Sequence, residues 1–116
     1  MTTPASSEIL DALYRVLLTR KGANPETSYT AGLFAKGGDK ILEKLGEEAI
    51  ETIIAAKNGD EEALVKESAD LLFHWLVALA EQEIPPERVW AELAGRFGIS
   101  GLEEKATRIK GRQNNV

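Results

Sequence analysis

From Leu71 to Ala80 the sequence LLFHWLVALA holds one polar residue, His74. At 3.6 residues per turn the apolar side chains cover nearly the whole circumference of a helix. Such a helix needs cover on every side, so it is expected at the centre of a helical assembly. The run is far short of the ~20 residues that a membrane span requires. With 116 residues, 43% of them apolar, the chain can build one core and not two ordinary domains. One core of this size is modest. A homodimer is therefore expected, with helix packing between copies burying the Leu71–Ala80 region.

The rest of the sequence is also helical in period. Ser6 or Ser7 is expected to cap a first helix with Ile9, Leu10, Leu13, Val16 and Leu17 on one face. Lys21 to Thr27, with Gly22 and Asn24-Pro25, forms a loop. Ser28 caps a short helix through Tyr29, Leu33 and Phe34, which Gly37-Gly38 ends. Asp39 is expected to cap the next helix, which runs to about Lys57 and gathers Ile41, Leu42, Leu45, Ala49, Ile50, Ile53 and Ala56 on one side. Asn58-Gly59 stops it, and Asp60 caps a helix to about Gln82, with Glu61 and Glu62 in its first turn. Pro85-Pro86 starts a helix holding Val89, Trp90, Leu93 and Phe97, closed by Gly98; Ser100 caps a last short one. No segment alternates as a strand would. The expected architecture is an all-α bundle over residues 6–109, with a frayed polar tail over 110–116.

Nineteen acidic against fourteen basic residues give a net charge of −5. A nucleic-acid binder needs a basic surface, so that class is not expected. A polyphosphate is still a suitable ligand if a metal ion stands between the two anions. The absence of cysteine removes disulfides, thiol catalysis and Cys-ligated zinc. No basic start followed by an apolar stretch is present, so a soluble cytoplasmic protein without a membrane partner is expected.

The chemistry lies in two carboxylate groups. In the fourth helix, Glu67, Asp70 and His74 share one narrow stripe on an otherwise apolar surface, which places Asp70 and His74 in largely buried surroundings. A buried carboxylate is costly without a cation or hydrogen bonds. On this helix alone, a solvated stripe with an Asp70–His74 pair is an equal alternative. In the third helix Lys40, Lys44, Glu47 and Glu51 align, with Glu48 beside them, opposite the apolar side. An ordinary solvated polar face would explain this, except that Ile54 and Ala55 flank the carboxylates and three like charges crowd one turn. Glu51 stands seven residues before Asn58, and Glu67 eight after Gly59. If the helices are antiparallel neighbours, the two groups lie at similar heights. Oxygen-only ligands select Mg²⁺ or Mn²⁺ rather than zinc, and such an ion activates water against a phosphoanhydride. Lys36, Lys40 and Lys44 stand where phosphates could be met, and Ser28, Tyr29 and Thr30 where a nucleotide could be; solvated lysines and a plain helix cap are the alternatives. Gly37-Gly38 is not part of a P-loop. Trp75 and Trp90 belong to the core.

The run SYTAGLFAKGGDKILEKLGEEAIETIIAAKNGDEEALVKESADLLFHWLVALAE, from Ser28 to Glu81, resembles the phosphoribosyl-ATP pyrophosphatase family. EExxE followed by ExxD is shared with all MazG-like all-α nucleotide pyrophosphohydrolases. SYTAxLF, KLGEEAIE and ESADLLFHWLV are similar to the narrower family, as is the tail RFGISGLEEKATRIKGR. The resemblance implies a dimeric MazG-like bundle that hydrolyses phosphoribosyl-ATP to phosphoribosyl-AMP and pyrophosphate, the second step of histidine biosynthesis. It implies that Glu47, Glu48, Glu51, Glu67 and Asp70 bind metal and that Lys44 faces substrate phosphate. Glu48, Glu51 and Lys44 would then be catalytic, and Lys36, Lys40, Lys44, Ser28 and Tyr29 would bind substrate. It also implies the stand-alone enzyme rather than a fusion with a zinc cyclohydrolase, since cysteine is lacking. Two other functions compete. A housekeeping pyrophosphohydrolase for other nucleoside triphosphates would share the same metal site. A non-catalytic helical scaffold would bind no metal and would leave a buried Asp70 without purpose.

Overall fold

The structure, a computed structural model, describes residue 3 and residues 5–97. Among these residues it is all-helical: α1 (Glu8–Arg20), α2 (Tyr29–Lys36), α3 (Gly38–Lys57), α4 (Glu61–Glu81) and α5 (Glu87–Arg96). The residues group into two compact units, one ending at Pro86 and one beginning at Glu87. Gly98, Ser100, the end of the expected domain at 109 and the tail 110–116 lie outside the described residues. In the second unit Leu93 of α5 is exposed, and so is Phe97, expected within the helix but lying just past its end.

The core of the first unit forms around the C-terminal half of α4. Leu76, Val77 and Ala80 are completely buried and meet Tyr14 and Leu17 of α1, Leu33 of α2 and Ile41 of α3. Trp75 packs against this cluster, in line with its expected core role. Lys21, just past α1, closes the end of α4. Its Nζ donates to the Ala80 carbonyl at 3.0 Å, lies 3.7 Å from the Glu83 carboxylate and sits 5.7 Å over the Phe34 ring. The last turn of α4 has no basic residue of its own, so Lys21 supplies the cation that a helix C-terminus favours.

The most extensive helix pairing joins α3 and α4. Its turn follows from local chemistry. Gly59 adopts φ +67°, the Asp60 N–H donates to the Ala55 carbonyl, and the Gly59 N–H donates to the Ala56 carbonyl. That is a Schellman motif, which uses the left-handed freedom of glycine to satisfy the last carbonyls of α3. Asp60 then caps α4 at once by accepting from the Ala63 N–H at 3.1 Å. The helices turn back with no intervening loop.

Two expected caps differ. Ser7 precedes α1 without a side-chain cap, and Ser6 Oγ is only 3.4 Å from the Glu8 N–H. Asp39 is not a cap: Gly37, at φ +97°, ends α2 and begins α3 together, which places Asp39 inside the first turn. There it still favours the positive helix end. Ser28 does cap α2, accepting from the Ala31 N–H at 3.1 Å.

The larger difference concerns which side of α3 faces inward. The buried residues are Ile41, Glu48 and Ala55, whereas Leu42, Ile50 and Ile53 of the expected apolar side are exposed. Beyond the core, the principal neighbour of α3 among the described residues is α4. The expected location of the uncovered apolar surface is corrected accordingly. Most of Leu71–Ala80 is already packed within one chain, Leu72 excepted, and within the first unit the most exposed aliphatic side chains, Ile50, Ile53, Ile54 and Val65 among them, are on the hairpin.

Removal of the Asp60 cap tests the turn. Asp60→Ala is expected to destabilise the protein by about 1 kcal/mol in urea denaturation, because one first-turn N–H of α4 loses its acceptor. No measurable change would mean that water replaces the cap fully.

Candidate metal centre

The inward stripe of α3 carries Lys44, Glu48, Thr52 and Ala55 at spacings of three and four residues, and it faces Glu67, Asp70 and His74 of α4. The height match expected from the distances to the turn is realised: Thr52 Oγ1 lies 2.7 Å from the Glu48 carbonyl and 3.1 Å from the Glu67 carbonyl. The hydroxyl therefore joins the two helices at the level of the acids. Sequence reasoning missed Thr52; the available signal was its position four residues after Glu48 on the same stripe.

Glu48, Glu67 and Asp70 each direct one carboxylate oxygen into a common space, all within 4.8 Å of one another. Glu48 is buried at 8% exposure, Glu67 is half-buried and Asp70 is exposed. The burial expected for Asp70 is thus corrected. The N-terminal half of α4 projects past the core, so its acid stands at the rim and Glu48 of α3 occupies the deep position. Glu48 Oε2 and Glu67 Oε2 are both buried and have no hydrogen-bond partner. Two orphaned anionic oxygens facing a third carboxylate are costly without a cation.

The electrostatics follow from this crowding. Burial raises the Glu48 pKa above 4.5, and Glu51 and Asp70 add to the rise while Lys44 opposes it. Glu67 is raised first by the Glu51 carboxylate beside it, then by burial and by the other neighbouring acids. Glu51 acts on both Glu48 and Glu67 and is thus a fourth acid of the group. Glu47 points elsewhere, onto Lys44 at 3.1 Å. That contact raises the Lys44 pKa, with smaller contributions from Tyr29 and Glu48. Lys40 pairs with Glu43 at 3.4 Å. Lys36, Ser28 and Tyr29 border a separate shallow cavity of about 340 Å³ beside α2.

Residues 10–97 match the family model of phosphoribosyl-ATP pyrophosphohydrolase. The chain belongs to this family. Its curated relatives include the phosphoribosyl-ATP pyrophosphatase of Geobacter sulfurreducens, 60% identical over 87% of this chain and 94% of the relative. That of Trichlorobacter lovleyi is 57% identical over 90% and 96%, and that of Rhodospirillum rubrum 52% identical over 95% and 94%. These matches bear out the resemblance drawn from SYTAGLF, KLGEEAIE and ESADLLFHWLV. Among the described residues of this phosphoribosyl-ATP pyrophosphohydrolase family member, no helix is long and apolar enough to cross a membrane.

The raised carboxyl pKa values have a definite consequence for the metal-free protein. A folded-state pKa above the unfolded value makes the folded state the stronger proton binder between the two. The contribution is most favourable below the unfolded value, near 4.5, and is lost as pH rises through the folded value. Glu48→Gln removes the deepest charge. Without divalent cations it is expected to be more stable than wild type at neutral pH and to lose that advantage near pH 4.5. Urea denaturation across that range checks it; a variant less stable than wild type at every pH would contradict the electrostatic account.

Proposed function

We infer that this chain hydrolyses phosphoribosyl-ATP to phosphoribosyl-AMP and pyrophosphate, the second step of histidine biosynthesis. The observation that carries the reading is the acid group of Glu48, Glu67 and Asp70, with two buried oxygens that no protein donor satisfies. That donor set fits a hard divalent cation, Mg²⁺ or Mn²⁺. Glu48, Glu67 and Asp70 would hold it, with Glu51 completing the set; Glu47, which rests on Lys44, would join only by turning away from that lysine. When bound, such an ion neutralises the acids, takes up phosphate oxygens and lowers the pKa of water.

The chain's own residues have distinct tasks in this reading. Lys44, on the inward stripe one turn before Glu48, neutralises charge on the triphosphate. Glu51, exposed beside Glu48 and Glu67, is placed to take a proton from the attacking water. Water adds to the phosphorus between the two products, and the anhydride bond to the leaving pyrophosphate breaks. The extra ribosyl phosphate distinguishes this substrate from ATP, and Lys36, Lys40, Lys44 and Arg20 are the available cations. Ser28 and Tyr29 contact the nucleotide at the α2 side. A cytoplasmic location is part of the same reading, as for an enzyme of a biosynthetic pathway.

The same reading includes a homodimer. On α3 the outer stripe joins Leu42, Gly46, Ile50 and Ile53, and the three apolar members are more than half exposed. Among the described residues nothing lies within 4 Å of where a side chain at Gly46 would begin, although glycine costs about 1 kcal/mol in a helix interior. A second hairpin packed on this stripe would use both the apolar surface and the room at Gly46. Each large side chain so buried would contribute about 1.5–3 kcal/mol.

Two measurements test these proposals. Purified protein with Mg²⁺ is expected to release pyrophosphate from phosphoribosyl-ATP far faster than from ATP, dCTP or dUTP, and Glu51→Gln and Asp70→Asn are expected to abolish turnover while remaining folded. Equal rates on ATP or dCTP would replace the biosynthetic role with a housekeeping one, and near-wild-type turnover in both variants would remove the metal-site assignment. By light scattering the wild type is expected to be dimeric at micromolar concentration and Ile53→Asp monomeric. A monomeric wild type would refute the assembly.

A further inference from the structure

His74 is the chain's single histidine and is buried at 5% exposure. Its Nδ1 lies 2.7 Å from the carbonyl oxygen of Asp70, one turn earlier on α4. A carbonyl can only accept, so Nδ1 carries a proton. In the neutral ring Nε2 is then an acceptor, and the Tyr29 hydroxyl, 3.0 Å away on α2, donates to it. Phe73 meets the imidazole edge-on at a centroid distance of 5.1 Å and fixes its plane further.

Tyr29 is consequently an unusual surface residue. The residue is 58% exposed, yet its hydroxyl is occupied by the buried His74 ring. The ring also rests near Phe73, with centroids 6.4 Å apart. An exposed phenol is ordinarily free to rotate, and holding it costs conformational entropy. Here the cost is met before any ligand arrives. An aromatic face held in place at the start of α2, on the Lys44 side of the acid group, suits the uncharged part of a nucleotide, the ribose or the base, rather than its phosphates.

We propose that His74 is a positioning residue, which fixes Tyr29 as a rigid aromatic wall of the substrate site through the chain Asp70 carbonyl, His74 imidazole, Tyr29 hydroxyl. The proposal rests on the nucleotide-binding role inferred above for this face. It assigns no proton transfer to His74 and no contact between His74 and substrate. Because Tyr29 touches the unreactive part of the substrate, its loss of order weakens binding and leaves the chemical step intact.

The test combines spectroscopy with kinetics. One histidine gives one set of ring ¹⁵N resonances, and in the wild type these are expected to show the neutral Nδ1-protonated tautomer, which is disfavoured for free imidazole in water. Tyr29→Phe, at an exposed position, keeps the ring and removes only the hydroxyl. It is expected to raise KM about tenfold and to change kcat by less than about twofold. His74→Asn keeps a donor near the Asp70 carbonyl and loses the acceptor for Tyr29, so it should raise KM by a similar factor. The double variant should be no worse than His74→Asn alone. An Nε2-protonated ring in the wild type, an unchanged KM in Tyr29→Phe, or two effects that multiply in the double variant would each overturn the proposal. Should the wild type prefer a different nucleoside triphosphate, the biosynthetic reading fails separately, and the same KM comparison on that substrate still decides the role of His74.

Discussion

The structure depends on the antiparallel pairing of α3 with α4 through a face that is not apolar. Glu48 is carried inward by Ile41 on one side and Ala55 on the other, both buried along the same stripe. Its carboxylate then has nowhere to go but toward Glu67 and Asp70. The pairing is held by the Schellman turn at Gly59, by the Asp60 cap and by the Thr52 hydroxyl between two backbone carbonyls. Each of these interactions is modest, at about 1 kcal/mol. Together they oppose the cost of burying and crowding the acids, which raises the pKa of both Glu48 and Glu67.

Stability and chemistry are separated along α4. Its C-terminal half is wrapped by α1, α2 and the start of α3, with Leu76, Val77 and Ala80 wholly buried. Its N-terminal half projects with α3 as a hairpin that carries the acids. The wrapped half anchors the hairpin, so the acid group can be electrostatically unfavourable without unfolding the chain. Sites held at an energetic cost are a common sign of function traded against stability. The same projection exposes the outer apolar stripe of α3, which is why the proposed second copy and the acid group involve opposite sides of one helix.

Between these halves stands His74. It is packed against Phe73, and its ring meets both the Asp70 carbonyl and the Tyr29 hydroxyl. The short helix α2 is thereby tied to α4 at its first residue, immediately after the Ser28 cap. The loop from Lys21 to Thr27 leads directly into this contact, and Lys21 pins the other end of α4. The candidate substrate face is thus assembled from α2, α3 and α4 although only α3 and α4 carry its acids.

The sequence by itself determined the five described helices, the Ser28 and Asp60 caps, the turn at Asn58-Gly59 and the matching heights of Glu51 and Glu67. These follow from offsets of a few residues, and local hydrogen bonds enforce them. The motifs KLGEEAIE and ESADLLFHWLV also sufficed to place the chain in its family. Which side of α3 turns inward was decided only by the tertiary structure. Apolar periodicity favoured Leu42, Ile50 and Ile53, but a helix buries the face for which a neighbour exists, and the neighbour within the chain is the acid stripe of α4. The same applies to Asp70 at the rim, Glu48 in the deep position, Glu47 on Lys44 and Tyr29 on His74. Each depends on a partner from another turn or another helix, and spacing along one helix carries no information about which partner will be there.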